Sequence, residues 1–206
     1  ERPPKLIPID VGRQLFVDDF LIEKTTLGRS FHQCEYHPAN PVLKPEKPWE
    51  TVRHPCTIAY SDGAWYDPAD KLFKIWYQAP YGLPRKTYMA VSKDGIQWER
   101  PSFDVVPGTN AVLSDPEDAF RDSVTVWLDL FEQDPARRFK LWRSTIKQKR
   151  EDGKWLYNKK WLQTFFSPDG IHWTHVADSP EVGDRSTVFY NPFRKVWVMS
   201  IRSGYE

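Results

Sequence analysis

Cysteine is nearly absent. Cys34 and Cys56 are the only two among 206 residues, too few for a disulfide framework and without the Cys-x-x-Cys or Cys/His spacing of a zinc site. Whether they pair with each other stays open, because pairing depends on Cβ geometry that spacing does not give. An excess of one charge is lacking too. Lys+Arg 29 against Asp+Glu 28 leaves a formal net charge of +1, so there is no basic surplus for counterion release on phosphates. No run of about 18 apolar residues is available to cross a bilayer. Nucleic acid and membrane are therefore not expected as partners. The chain opens at Glu1 with neither an initiator methionine nor an apolar leader, which points to a removed signal or pro-segment or to a piece of something longer.

What the chain has is aromatic surface and turns. Trp 10, Tyr 9 and Phe 12 make it 15% aromatic, with Pro 18 but only Gly 10, and 40% hydrophobic against 28% charged residues. That balance excludes disorder and implies many short strands.

Laid against itself, the sequence repeats. One segment runs Thr57-Ile58-Ala59-Tyr60, Trp65-Tyr66-Asp67-Pro68, then Lys71-Leu72-Phe73-Lys74-Ile75-Trp76-Tyr77. A second runs Ser123-Val124-Thr125-Val126-Trp127, Asp134-Pro135, then Arg138-Phe139-Lys140-Leu141-Trp142. A third runs Ser186-Thr187-Val188-Phe189-Tyr190, Asn191-Pro192, then Lys195-Val196-Trp197-Val198-Met199. Each reads as a β-branched strand, a proline turn and a second strand that alternates aromatic with polar residues, hence a hairpin.

The first two hairpins are followed by a further strand and a shared heptapeptide, Ser92-Lys93-Asp94-Gly95-Ile96-Gln97-Trp98 and Ser167-Pro168-Asp169-Gly170-Ile171-His172-Trp173. Its Asp-Gly supplies the positive-φ position of a tight turn, Ser and Asp side chains cap local amides, and Ile and Trp anchor the turn. The second unit is longer than the first, and the excess falls at Ile146 to Trp161. There Asp152-Gly153 predicts the turn of an extended, exposed hairpin. Asp115 to Asp122 reads as a short helical turn or loop.

Four strands per unit, with aromatics between units, is the logic of an all-β fold, a β-propeller of four-stranded antiparallel blades that cannot bury their faces alone. About two and a half blades are present, near 50–105, 118–178 and 183–206. Residues 46–206 thus form an incomplete propeller domain, and the chain is expected to be an N-terminal fragment. Residues 1–45 form an N-terminal extension, in which Gln14 to Glu23 predicts a strand-turn-strand or a long edge strand able to close a ring.

Asn40-Pro41-Val42-Leu43, the two Ser-x-Asp-Gly-x-x-Trp turns and Phe120-Arg121-Asp122 together resemble the five-bladed propellers of the furanosidase superfamily, which includes invertase-like and arabinanase-like glycoside hydrolases. The resemblance spans about residues 40–202. It implies five blades in the complete protein, a secreted or periplasmic location, a carbohydrate substrate and a central funnel where carboxylates from different blades surround a sugar. Arg121-Asp122 resembles the superfamily's Arg-Asp-Pro element, with Ser123 in place of the proline. Where the first blade is expected to carry an aspartate, His54 stands instead, so the base comes from elsewhere or the chemistry differs. The acid glutamate is expected on a blade beyond residue 206.

The residues also carry an argument of their own. Arg53-His54, Arg121-Asp122 and Asp184-Arg185 all precede the first strand of a unit, and equivalent positions in a ring of blades converge near the axis. Asp122 and Asp184 are the candidate catalytic carboxylates, each beside an arginine that favours its ionised form. Arg53, His54, Arg121 and Arg185 are the candidate substrate-binding residues, suited to an anionic or polyhydroxylated ligand. The same pairs can instead serve as salt bridges between blades. Trp49, Trp65, Tyr81 and Trp155 are candidates to stack on sugars, although Trp65 beside its turn is better suited to packing hairpins together. Asp18-Asp19 reads as a turn or an edge guard. No metal-ligand cluster is visible and no cofactor is implied. The expected function is glycoside hydrolysis by carboxylate acid/base chemistry. A non-catalytic carbohydrate-binding propeller and a scaffold propeller that binds another protein are the alternatives.

Overall fold

The computed structural model describes residues 5–202 except 11–13, 16, 82–84, 116–118 and 152–153, and does not describe the side chains of 148–158. The first repeat builds strands β1 (Ala64–Asp67), β2 (Leu72–Ala79), β3 (Lys86–Ser92) and β4 (Ala111–Ser114). They form one antiparallel sheet in the order β1-β2-β3-β4. The second repeat builds β5 (Ala119–Leu128), β6 (Phe139–Glu151), β7 (Lys154–Ser167) and β8 (Thr174–Glu181), again in sequential order. The third hairpin, β9 (Thr187–Asn191) and β10 (Val196–Ser200), makes a two-stranded sheet. Two four-stranded sheets and a half are the blades that the repeats predict.

Several boundaries differ from the sequence reading. The first sheet reaches Ser114, past residue 105, because β4 returns after a long loop to pair with β3. Ala119 to Asp122, anticipated as a helical turn or loop, starts strand β5 and pairs with β6. Thr57 to Tyr60 pairs with β2 only through a single bridge from Ile58 to Gln78. The described residues of 14–23 hold no strand. Instead Ile22 N–H donates to the Asp19 carbonyl at 3.0 Å and Phe20 N–H to the Asp18 carboxylate at 3.0 Å, an Asp-stabilised turn. The long hairpin is as expected: β6 and β7 pair from Phe139↔Ser167 out to Glu151↔Lys154, and its Asp152-Gly153 turn lies outside the described residues. Cys34 and Cys56 are both free.

The core lies between the sheets. Trp76, Met89 and Val112 of the first sheet meet Val124, Val126, Leu128, Phe139, Leu141 and Phe165 of the second. Because neighbours on a strand face opposite ways, Tyr77 joins Ala79, Tyr88 and Ala111 on the first sheet's other face, packed under Leu43 and Trp49. Likewise Trp142 and Leu162 face Val182 and Val188 of the third unit. Trp65 fills the seam between first and second sheets, edge-on to Trp127 at 4.7 Å.

The heptapeptide turns behave as their chemistry predicts. Asp94 Oδ1 accepts from Ile96 and Gln97 N–H, both at 2.8 Å, while Ser92 Oγ accepts from Gly95 N–H at 2.9 Å. Asp169 and Ser167 repeat the pattern on Ile171, His172 and Gly170. Gly95 and Gly170 take φ of +75° and +81°.

Buried polar groups also tie the sheets. Asp67 accepts from Lys74 at 2.8 Å and from Arg138 of the second unit. Burial raises its pKa, but these hydrogen bonds outweigh burial and hold it at about 2. Glu50, fully buried in the helix α1 (Pro48–Thr51), accepts from the Tyr77 hydroxyl and from Arg100, each at 2.6 Å. It thereby anchors this segment to the first sheet.

Candidate functional site

The leading ends of the three units lie side by side because short polar links stitch them. Ser61 Oγ donates to the Val124 carbonyl at 3.0 Å, and Val126 N–H donates to the Asp62 carbonyl at 2.9 Å, joining the first unit to the second. Between these contacts Gly63, at φ +100°, lets the chains approach: a Cβ there would lie 2.7 Å from the Val126 oxygen. Ser123 Oγ donates to the Ser186 carbonyl at 3.2 Å, and Arg185 N–H to Asp122 Oδ2 at 3.1 Å, joining the second unit to the third.

Where these links meet there is a cavity of about 350 Å³, at the small end of ligand pockets. The first unit lines it with Tyr60, Ser61, Gln78, Tyr81 and Arg85, the second with Asp122 and Ser123, the third with Arg185 and Thr187. All three units contribute, the first through residues other than Arg53 and His54.

Asp122, Arg185 and Tyr81 are the sequence-selected residues that this cavity brings together. Asp122 keeps one carboxylate oxygen on the Arg185 amide, so its orientation is fixed by backbone rather than by another side chain. Arg185 takes a left-handed φ of 57° and is exposed. Arg53, at the leading end of the first unit, shares that φ of 57°.

The other selected residues stand elsewhere. Arg121 is fully buried and faces away from the cavity. Its Nη1 and Nη2 bind both oxygens of Asp62 at 2.8 Å each, and Nη1 also reaches Thr87 Oγ1 at 3.0 Å. Burial pushes the Asp62 carboxyl up to about 6, against the pull of the guanidinium. Arg121 is thus a bidentate clamp between sheets. The pairing of β5 with β6 shifts register between Arg121 and Val124, and across this irregularity Arg121 turns to Asp62 while Asp122 and Ser123 both line the cavity. Asp184 lies outside the cavity lining, held by Arg202 at 2.6 Å and Lys160 at 3.6 Å. Burial raises its pKa, but these two cations prevail and lower it, so the expected ionised aspartate is there with partners other than Arg185. Arg53 and His54 are exposed and do not line the cavity. His54 accepts from Tyr81 N–H at 3.1 Å through its carbonyl, with its ring edge-on to Tyr81 at 6.5 Å.

Among the aromatic candidates Tyr81 lines the cavity, Trp49 binds Asn110 at 2.9 Å, and Trp65 donates to the Val126 carbonyl at 2.8 Å. The Trp155 side chain lies outside the described residues.

Arg85 escaped the sequence reading. It stands one residue before β3, off the repeat positions, and its guanidinium lies 5.0 Å from the Phe120 ring centroid and 5.5 Å from that of Tyr81. Its Nη1 donates to the Arg121 carbonyl at 3.2 Å. Its nearness to Tyr81 in sequence was the one available signal, since Phe120 lies 35 residues further along the chain.

Among the described residues no helix is long and apolar enough to cross a membrane. No family model matches the chain, and no curated protein does. Solved structures do match. The fructofuranosidase from Schwanniomyces occidentalis complexed with fructosyl-erythritol superposes with a TM-score of 0.54 at 19% identity, over 77% of this chain and 30% of that one. A point variant of the same enzyme complexed with fructosylnystose gives the same figures. The enzyme complexed with fructose gives a TM-score of 0.50 at 18% identity, over 68% of this chain and 28% of that one. The chain thus spans about 30% of the length of these enzymes, and over that span it shares their propeller fold of antiparallel blades.

Proposed function

We propose that this chain forms part of a glycoside hydrolase of the propeller type, which takes a sugar of an extracytoplasmic polysaccharide or glycan into the cavity between its three units, with Asp122 as the reactive carboxylate. The observation that carries the reading is the meeting of three consecutive units on one cavity that holds Asp122. It gains support from a fold whose solved counterparts were complexed with fructose or fructosyl ligands.

In this reading Asp122, oriented by the Arg185 amide, accepts a sugar hydroxyl or stabilises the positive charge that develops at the anomeric carbon in an oxocarbenium-like transition state. Gln78 and the tyrosine hydroxyls donate to sugar hydroxyls, Ser61 Oγ, whose proton is held by the Val124 carbonyl, accepts from one, and the face of Tyr81 offers a stacking surface. Arg121 and Asp184 act as positioning residues that fix the sheet ends on either side of Asp122.

One observation favours a second reading, sugar binding without cleavage. Hydrolysis needs two carboxyl groups about 5 to 9 Å apart, and among the described residues Asp122 is the one carboxylate lining the cavity. A further blade would have to supply the second. The test is Asp122→Asn in the intact protein, assayed against a panel of glycans for turnover and for affinity. The hydrolase reading expects turnover to fall by about 100-fold or more with an unchanged melting temperature. Binding without turnover in the unsubstituted protein would support the second reading, and a variant within about twofold on both measures would remove Asp122 from either role.

A further inference from the structure

We infer that the cavity selects sugars bearing a negatively charged substituent, a carboxylate or a sulfate, and that Arg185 and Arg85 are its specificity-determining residues. The inference rests on the cavity being a sugar site and goes beyond it by naming the charge of the ligand.

The cavity wall carries two guanidinium groups and one carboxylate, and the carboxylate does not neutralise either cation through its side chain. Asp122 binds the backbone amide of Arg185. Among the described residues neither Arg185 nor Arg85 makes a salt bridge, whereas Arg100, Arg121, Arg138 and Arg143 each have an acidic partner within 4 Å. Asp115, a carboxylate whose charge bears on Arg85, spends its Oδ1 on Arg143 at 3.5 Å and on the Arg121 amide at 3.0 Å, and among the described residues its Oδ2 is buried without a hydrogen-bond partner and makes no salt bridge with Arg85.

Arg85 is the more telling of the two. It is half-buried, lodged between the rings of Tyr81 and Phe120, and its Nε is buried with no hydrogen-bond partner. A buried unpaired donor on a cation is costly, and ring faces compensate only in part. An anion at the cavity mouth would supply the missing charge. Guanidinium groups, with their planar fork of donors, match carboxylate and sulfate oxygens better than single hydroxyls. A neutral sugar would use the hydroxyls and Gln78 while leaving both cations unanswered. The arrangement thus favours an acidic sugar by attraction as well as by leaving its neutral counterpart without compensation.

The test uses the intact protein and three probes in calorimetric titration: digalacturonate, its neutral counterpart galactobiose, and galactose 6-sulfate. An acidic probe is expected to bind at least about tenfold more tightly than galactobiose, with a margin that shrinks as salt rises. Binding of digalacturonate alone, of the sulfate alone, or of both identifies the anion and supports the inference. Arg185→Gln, at an exposed position, is expected to bring the ratio to within about threefold, Arg185→Lys to restore part of it, and Arg85→Lys to retain the charge preference with weakened affinity. Galactobiose binding as tightly as the acidic probes, with Asp122→Asn weakening it, would overturn the charge selection while leaving the sugar site standing. No binding of any probe or of the neutral glycans above would overturn both.

Discussion

Arg121→Ala is the substitution that most sharply separates a structural from a ligand-binding role at the sheet junction. Arg121 and Asp62 are both fully buried and meet through two bonds of 2.8 Å, 59 residues apart in sequence. Truncating the arginine leaves the Asp62 carboxylate buried without its partner, a loss of about 3 to 5 kcal/mol. With a urea m-value of roughly 2 to 3 kcal/mol/M for a chain of this size, the unfolding midpoint should fall by about 1 to 2.5 M. Replacing both partners at once, Arg121→Met with Asp62→Leu, should restore most of that stability, since an apolar pair of similar volume does not carry the desolvation cost. Urea unfolding followed by tryptophan fluorescence reads all three proteins. A single-variant shift below about 0.5 M, or a double variant as unstable as the single, would refute the assignment of Arg121 as a buried clamp.

Two further outcomes follow from the turns and from the histidine beside them. Gly95→Ala and Gly170→Ala both place a Cβ at positive φ, yet that Cβ meets nothing within 4 Å at Gly95 and lies 2.6 Å from Trp76 Cζ2 at Gly170. The first should cost about 1 to 2 kcal/mol from backbone strain and the second a further ~1 to 3 kcal/mol from overpacking. Equal melting temperatures for the two variants would contradict this. His172 bridges Asp169 at 2.7 Å and Asp104 at 2.8 Å, and these hydrogen bonds raise its pKa above the ordinary 6.5. The clasp therefore contributes fully below pH 6.5 and is lost as pH rises through the higher folded-state value. His172→Asn should remove that segment of the melting-temperature profile, and a profile of unchanged shape would contradict the link.

The fold was legible because its determinants are local. Asp-Pro and Asn-Pro turns, alternating aromatic strands and the Ser-x-Asp-Gly-x-x-Trp heptapeptide each act over fewer than ten residues, and their recurrence exposes the unit. The long second hairpin could be read from one Asp-Gly dipeptide in a charged run. Where the sequence reading failed, the deciding partner was distant or the pattern ambiguous. Ala119 to Asp122 carries no helix or strand period of its own and becomes strand because β6 lies alongside. Gln14 to Glu23 holds two short apolar runs suited to strands, yet the Asp18 side chain captures the Phe20 amide and makes a turn.

For the site, the sequence by itself determined that charged residues cluster at the leading ends of the units and that those ends recur. Only the tertiary structure decided which of them share a cavity. Asp122 and Arg185 meet because the second and third sheets are laced at Ser123 and Ser186. Arg121 is drawn the other way by Asp62, and Arg202 and Lys160 draw off Asp184. Arg85 enters from a loop outside the repeat. Period and turn chemistry fix where a strand begins. The direction of a side chain at that point depends on strand phase and on charges from other sheets, which no single stretch of sequence contains.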